Sequence, residues 1–245
     1  MEACIVLRAD FYRSSACRSA LLAAACVLLL AGRSQAAPLC ANGSLTSYLS
    51  AGSCSIGAAT FSDFNLVTPL PTGATPIATD QVTVMPFSTP STVGFNFLFN
   101  VSASTAVLNE LLFGYNATVQ SFTNATLAMA GASATDDGVV TAVQNVCVGG
   151  TYTTGTLNGC GGTEHANIVF AIDGDQLLTS AVLFAATTTL GIVNDIAVDG
   201  GTFGSAALSG SVTNSFNFVP EPTTGVLLAT GLAWFLRARS RRGHD

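Results

Sequence analysis

Apolar and mostly polar positions alternate along residues 93–101, with Val93, Phe95, Phe97, Phe99 and Val101 on one face and Gly94, Asn96, Leu98 and Asn100 on the other. A period of two marks a half-buried strand, because successive side chains of an extended backbone point to opposite faces. The same reading predicts strands over residues 81–86, 111–119, 122–129, 139–148, 167–172, 190–198 and 211–218, rich in Val, Ile, Phe and Thr. Turn chemistry separates them at Asp136-Asp137-Gly138, Asp173-Gly174 and Asp199-Gly200-Gly201. Asp bonds its own backbone there and Gly accepts positive φ. Helical stretches are few: residues 44–49 fit one short helix, and residues 176–184 fit either a helix or a strand. About eight or more short strands at roughly even spacing predict an all-β domain of sandwich or jelly-roll type.

Two segments break this pattern, one at each end. Arginines at 8, 13 and 18 precede an apolar stretch over residues 20–31, followed by the small residues Ser34 and Ala36. That layout predicts a secretory signal peptide over residues 1–36, forming a signal helix and cleaved between Ala36 and Ala37. A permanent anchor is the alternative reading of the same stretch. At the other end, Val219, Pro220, Glu221 and Pro222 lead into an apolar run over residues 225–236 and then Arg237, Arg239, Arg241 and Arg242. The prolines lock φ and lack N–H donors, so residues 219–222 form an extended spacer that continues neither a sheet nor a helix. Residues 223–236 would make a membrane helix about 21 Å long at ~1.5 Å per residue, short against a hydrocarbon core of about 30 Å. The basic tail over residues 237–245 acts as a stop by the positive-inside rule. Both apolar segments carry arginines on their outer flank, so both ends of the precursor stay in the cytoplasm and residues 37–218 are exported.

Charge sharpens the division. All eight basic residues are Arg in the terminal segments, so residues 37–219 hold no Lys or Arg, while acids stand at Asp63, Asp80, Glu110, Asp136, Asp137, Glu164, Asp173, Asp175, Asp195 and Asp199. Such a domain repels polyanions and has no cations with which to grip phosphates, which sets nucleic-acid binding aside. Beyond the signal segment four cysteines remain, Cys40, Cys54, Cys147 and Cys160. An even number suits an oxidising compartment, and of the three possible pairings Cys40–Cys54 and Cys147–Cys160 each close a short Gly/Ser/Asn-rich loop. Each bridge would contribute roughly 3 kcal/mol by restricting the unfolded chain. A zinc site is the competing reading, and the Cys-x-x-Cys spacing it would use is absent.

The order of Val219 to Pro222, the apolar run and the arginines resembles the PEP-CTERM sorting signal of Gram-negative bacteria. The resemblance implies that a membrane protease-transpeptidase, the exosortase, recognises the Pro-Glu-Pro motif and removes the tail during export. It implies an inner-membrane-anchored precursor delivered by the general secretion machinery, with a mature form at the outer surface or in the extracellular matrix. The apolar run is short for that family. The body is similar to the common PEP-CTERM exported domain at Cys54, Ile56, Gly57, Phe61, Ser62 and Phe64, at Val193, Asp195, Ile196 and Val198, and at Gly200 and Gly201. Domains of that type generally have no assigned activity, so the likeness extends to fold and location.

Candidate chemistry is sparse. His165 is the one histidine between the terminal segments, and beside Glu164 it would have to carry a Ser-His-acid triad alone, without a Gly-x-Ser-x-Gly elbow. Asp173 with Asp175, or Asp195 with Asp199, share a strand face by spacing and would suit a polysaccharide hydrolase, while Asp173-Gly174-Asp175 also reads as a turn. The same two acids are the weak candidates for a loose calcium site. Tyr48, Tyr115 and Tyr152 are the rings left for stacking on an exopolysaccharide, since Trp234 lies in the tail. The expectation is a non-enzymatic surface or matrix protein with no cofactor. A glycan-binding or calcium-assisted adhesion module is the alternative, and a hydrolase the third reading.

Overall fold

A computed structural model describes residues 37–156 and 158–219. The signal segment through Ala36, the membrane helix over 223–236, the basic tail and Pro220 to Pro222 lie outside the described residues. Among those described, no helix is long and apolar enough to cross a membrane.

The chain runs β1 (Gly43–Ser44), α1 (Leu45–Ala51), β2 (Ser53–Ile56), β3 (Ala59–Leu66), β4 (Thr75–Pro76), β5 (Thr83–Ser88) and β6 (Thr92–Ala103). It continues with β7 (Leu108–Thr135), β8 (Val139–Val148), β9 (Thr163–Ile172), β10 (Asp175–Leu177), β11 (Thr179–Asp199) and β12 (Ser205–Phe218). The strands form one 12-stranded sheet whose main path is β1-β5-β6-β12-β7-β11-β8-β9-β10. Neighbours on that path are antiparallel; β3 joins an edge of β7, and β4 pairs with β7 in parallel. The domain is all-β, with one short helix capped by the Ser44 side chain at its N-terminus.

The sheet folds over on itself because β7 and β11 each belong to two layers. In the first half-sheet the C-terminal part of β7 lies between β12 and the N-terminal part of β11. In the second, the N-terminal part of β7 pairs with β3 and the C-terminal part of β11, which continues to β8. Sequence patterning divides β7 into two strands, 111–119 and 122–129, and the structure corrects this to one strand of 28 residues. The physical reason is a slip of phase. Buried Val119, Phe122 and Ala125 stand three apart, which breaks the period of two, and the register with β11 shifts between Leu183 and Thr189. Irregularities of this kind bend a strand without ending it. Residues 176–184, ambiguous in sequence, are extended and fall on β10 and β11.

The two half-sheets close on an aromatic core to give a sandwich-like domain. Phe61 of β3 meets Phe95 of β6 edge-on with ring centroids 4.7 Å apart, and Phe97 of β6 meets Phe113 of β7 at 4.8 Å. Tyr115 and Phe216 extend the same layer. Edge-to-face pairs place the positive ring edge on the negative face of the neighbour, adding about 0.5–1.5 kcal/mol to the area each ring buries. Neutral polar groups thread this core. Asn214 Nδ2 donates to Tyr115 Oη at 2.8 Å and to Asn194 Oδ1 at 2.6 Å, while Asn167 Nδ2 donates to Gln144 Oε1 at 3.0 Å and to the Ala125 carbonyl at 3.1 Å.

Disulfides join Cys40 to Cys54 and Cys147 to Cys160. The first ties the segment that precedes β1 to β2, where Ser55 N also donates to the Pro38 carbonyl. The second anchors the 149–162 connection to β8.

Candidate functional site

Glu110 and Asp195 occupy the face of the second half-sheet turned away from the aromatic core. Glu110 stands opposite Ala197 and Asp195 opposite Leu112, which makes the two carboxyls diagonal neighbours across the β7–β11 pair. Glu110 is only 4% exposed. The two carboxyls lie close enough to perturb each other's ionisation. Burial, reinforced by the nearby Asp195 carboxyl, pushes Glu110 up to about 7. Burial also raises Asp195, with its hydrogen bond to Glu110 acting in the opposite sense. The remaining oxygens Glu110 Oε2 and Asp195 Oδ1 are buried without a partner. With no Lys or Arg in residues 37–219, nothing in the domain supplies a fixed positive charge to this pair.

The neighbours of the pair are covered from outside. Leu112 and Val193, on the same face, form a small apolar cluster with Val67, Cys147 and Tyr152, against which Leu70 and Cys160 pack. The segment 67–78 begins where Val67 N donates to the Leu112 carbonyl at 3.0 Å. It returns where Thr75 and Pro76 pair with Asn109 and Glu110, and Ile77 N donates to the Glu110 carbonyl at 2.9 Å. Both ends of this segment are therefore fastened to the β7 backbone, and its return places Ile77 in the aromatic core.

The residues proposed from sequence are mostly kept apart. Asp195 takes Glu110 as its partner, and Asp199 instead accepts from Gly201 N at 2.8 Å to shape a turn. Glu110 escaped the sequence reading because its partner lies 85 positions away (195 − 110) on a neighbouring strand. Asp173 and Asp175 stand exposed at the tip of the β9–β10 hairpin, where Ile172 pairs with Asp175 and Gly174 takes φ 75°. Asp175 Oδ1 accepts from Gln176 N at 2.8 Å, and the turn reading describes this pair. Among the described residues, no group of three or more His, Cys, Asp or Glu side chains is placed to hold a metal ion. Glu164 accepts from the Tyr152 hydroxyl at 3.0 Å, while His165 lies beside the Phe184 ring at 6.5 Å.

The tyrosines offer no free face. Tyr48, Tyr115 and Tyr152 are all buried, and their hydroxyls bond the Ala41 carbonyl, Asn214 and Glu164. This corrects their candidacy as sugar platforms. The exposed aromatic among the described residues is Phe203, 81% accessible at the end of the 199–204 turn. Its backbone is braced: the Asp137 carboxylate accepts from Thr202 N at 2.7 Å and from Phe203 N at 2.8 Å. These bonds hold Asp137 below its ordinary carboxylate range. The one sequence signal for Phe203 was its position between glycines in a turn, which says nothing of exposure.

The folded sheet and its two disulfides define a disulfide-stapled all-β domain of an extracellular or periplasmic protein. No family model matches the chain, and no curated protein matches it. Among solved structures, the carbohydrate-binding module TmCBM61 in complex with β-1,4-galactotriose aligns over 53% of this chain and 71% of its own, at 12% identity and a TM-score of 0.24. The enzymatically active domain of bacteriophage CBA120 tailspike protein 4 aligns over 67% of this chain and 20% of its own, at 10% identity and a TM-score of 0.21. Scores this low carry no argument about fold, ligand or activity, so the reading of the site rests on its own geometry.

Proposed function

We propose that this chain is an exported, non-enzymatic surface or matrix-associated protein, sorted through its PEP-CTERM-like tail by an exosortase. The observation that carries the reading is the combination of a disulfide-stapled β domain free of Lys and Arg with an arginine-flanked apolar segment at each end. The signal peptide and secretion machinery deliver the domain across the inner membrane, which holds the precursor transiently. Mass spectrometry of the mature protein tests the sorting: the expected product begins at Ala37 and lacks the residues beyond the Pro220-Glu221-Pro222 motif. A mature protein that runs intact to Asp245 would overturn exosortase processing.

A second reading, contact with an exopolysaccharide, is favoured by Phe203. An exposed ring on a turn fixed by two backbone bonds presents an apolar face at little entropic cost, as sugar stacking requires. Affinity electrophoresis of the wild-type protein and Phe203→Ala in gels containing the producing cell's own polysaccharide checks this. Retardation lost in the variant supports the reading, and equal mobility with and without polysaccharide removes it.

A further inference from the structure

We propose that the bare part of the outer face of the second half-sheet, over β8, β9 and β10, is a docking surface for a basic amphipathic peptide segment, one that carries apolar side chains beside Lys or Arg. The strand register places six apolar side chains there. Leu177 of β10 stands opposite Phe170 of β9, while Ile172 and Ile168 of β9 stand opposite Val139 and Val143 of β8. Residues two apart on a strand share a face, so these six form one block. The residues between them, Val140, Ala142, Val169 and Ala171, are buried in the core, which turns the block outward. Ile168, Ile172 and Leu177 are 49%, 40% and 44% exposed. Elsewhere on this face Leu112 and Val193 pack with Val67, Leu70 and Tyr152, so the apolar side chains of β7 and β11 are covered while those of β9 and β10 are not.

Acids border the block on two sides. Asp195 and Asp199 of β11 stand opposite Val143 and Val139. On the other side Asp175 stands opposite Ile172, with Asp173 exposed in the adjoining turn. No Lys or Arg occurs in residues 37–219 to offset them, whereas β5, β6 and β12 of the first half-sheet hold no charged side chain at all. Negative charge is thus gathered where the apolar surface is bare.

Size and charge together select the occupant. Three strands about 4.8 Å apart and three rows about 6.8 Å apart span roughly 10 by 14 Å. That footprint suits one short segment, since a globular partner takes about 800 Å² per side. A second copy of this chain would bring acids against acids, whereas a segment with Lys or Arg beside its apolar residues complements both the block and its border.

Fluorescence anisotropy on the full chain tests the site with three labelled peptides: an amphipathic Leu/Lys peptide, the same peptide with Glu for Lys, and the same with Ser for Leu. The Leu/Lys peptide is expected to bind at least tenfold more tightly than either of the others. Its binding should weaken at least tenfold in 1 M salt, where the screening length falls to about 3 Å. Ile168→Ser combined with Leu177→Ser should weaken it at least tenfold, and Asp173→Asn combined with Asp175→Asn at least threefold. Leu183→Ser, at a leucine 79% exposed in the first half-sheet, should leave it unchanged. No binding of the Leu/Lys peptide, equal binding of the Leu/Glu peptide, undiminished binding in either double variant, or an equal loss in Leu183→Ser would overturn the proposal. Dimerisation of the wild type in sedimentation that the Ile168→Ser, Leu177→Ser pair abolishes would overturn it too, since the face would then belong to a second copy. Amide chemical-shift mapping of the wild type decides the matter if a variant does not fold. Shifts on β8 to β10 on adding the Leu/Lys peptide support the site, and shifts confined to other parts of the chain sink it.

Discussion

Between the half-sheets the buried polar groups are neutral amides and hydroxyls, whereas on the outer face of the second half-sheet they are two acids. Tyr115, Asn194 and Asn214 form one inner group, and Gln144, Asn167 and Ser180 the other. An amide does not titrate, so its burial does not depend on the medium, although Gln144 Nε2, Asn194 Nδ2 and Asn214 Oδ1 are buried without a partner. A pair of carboxyls is satisfied only while it holds a proton, and its stability then follows pH. The difference teaches where this fold responds to the medium: the amides of the inner layer do not titrate, and the acid pair on the outer face does.

The largest effect is expected from breaking the inner layer. Phe61 is fully buried and touches Phe95, Tyr115 and Phe216, so Phe61→Ala should cost about 3–5 kcal/mol in chemical denaturation. That loss should be the same at pH 5 and pH 8. Next comes the outer face: wild-type stability should fall by up to about 3 kcal/mol as pH rises from 4.5 to 7, the interval between the ordinary and folded values for Glu110. Denaturation across that range should show the drop in the wild type and not in Glu110→Gln. A smaller effect is expected inside. Asn214→Ala leaves the Asn194 carbonyl without its donor and should cost about 1–3 kcal/mol, again without pH dependence. A pH-dependent loss in Asn214→Ala would erase the distinction between the two regions. Phe203→Ala, on an exposed turn, should shift stability by no more than about 0.5 kcal/mol.

Much of the fold was legible because its strands advertise themselves locally. Residues 93–101 alternate over nine positions and form the heart of β6. The Asp173-Gly174 and Asp136-Asp137-Gly138 turns are readable because Gly174 and Asp136 take positive φ, which Gly and Asp tolerate. The short helix over residues 44–49 is equally local, and the structure shows Ser44 capping it. What escaped was long-range. The bend in β7 appears in sequence as a lost period, and only pairing with β11 and β12 shows that the strand continues. The Asp195 partner was sought four residues away and lies on another strand. The exposed ring was sought among tyrosines, whose rings are buried and whose hydroxyls find partners within the domain.

By itself the amino-acid sequence determined that the domain is all-β, lacks fixed positive charge and carries an even set of four cysteines beyond its first apolar segment. These are properties of composition and short period, which each residue states with its neighbours. The tertiary structure decided that one sheet folds into two layers, that Glu110 meets Asp195, and that Phe203 stands in solvent. Such facts depend on which strands hydrogen-bond, and register between distant strands is set by the burial of whole faces at once, so no local stretch of sequence contains it.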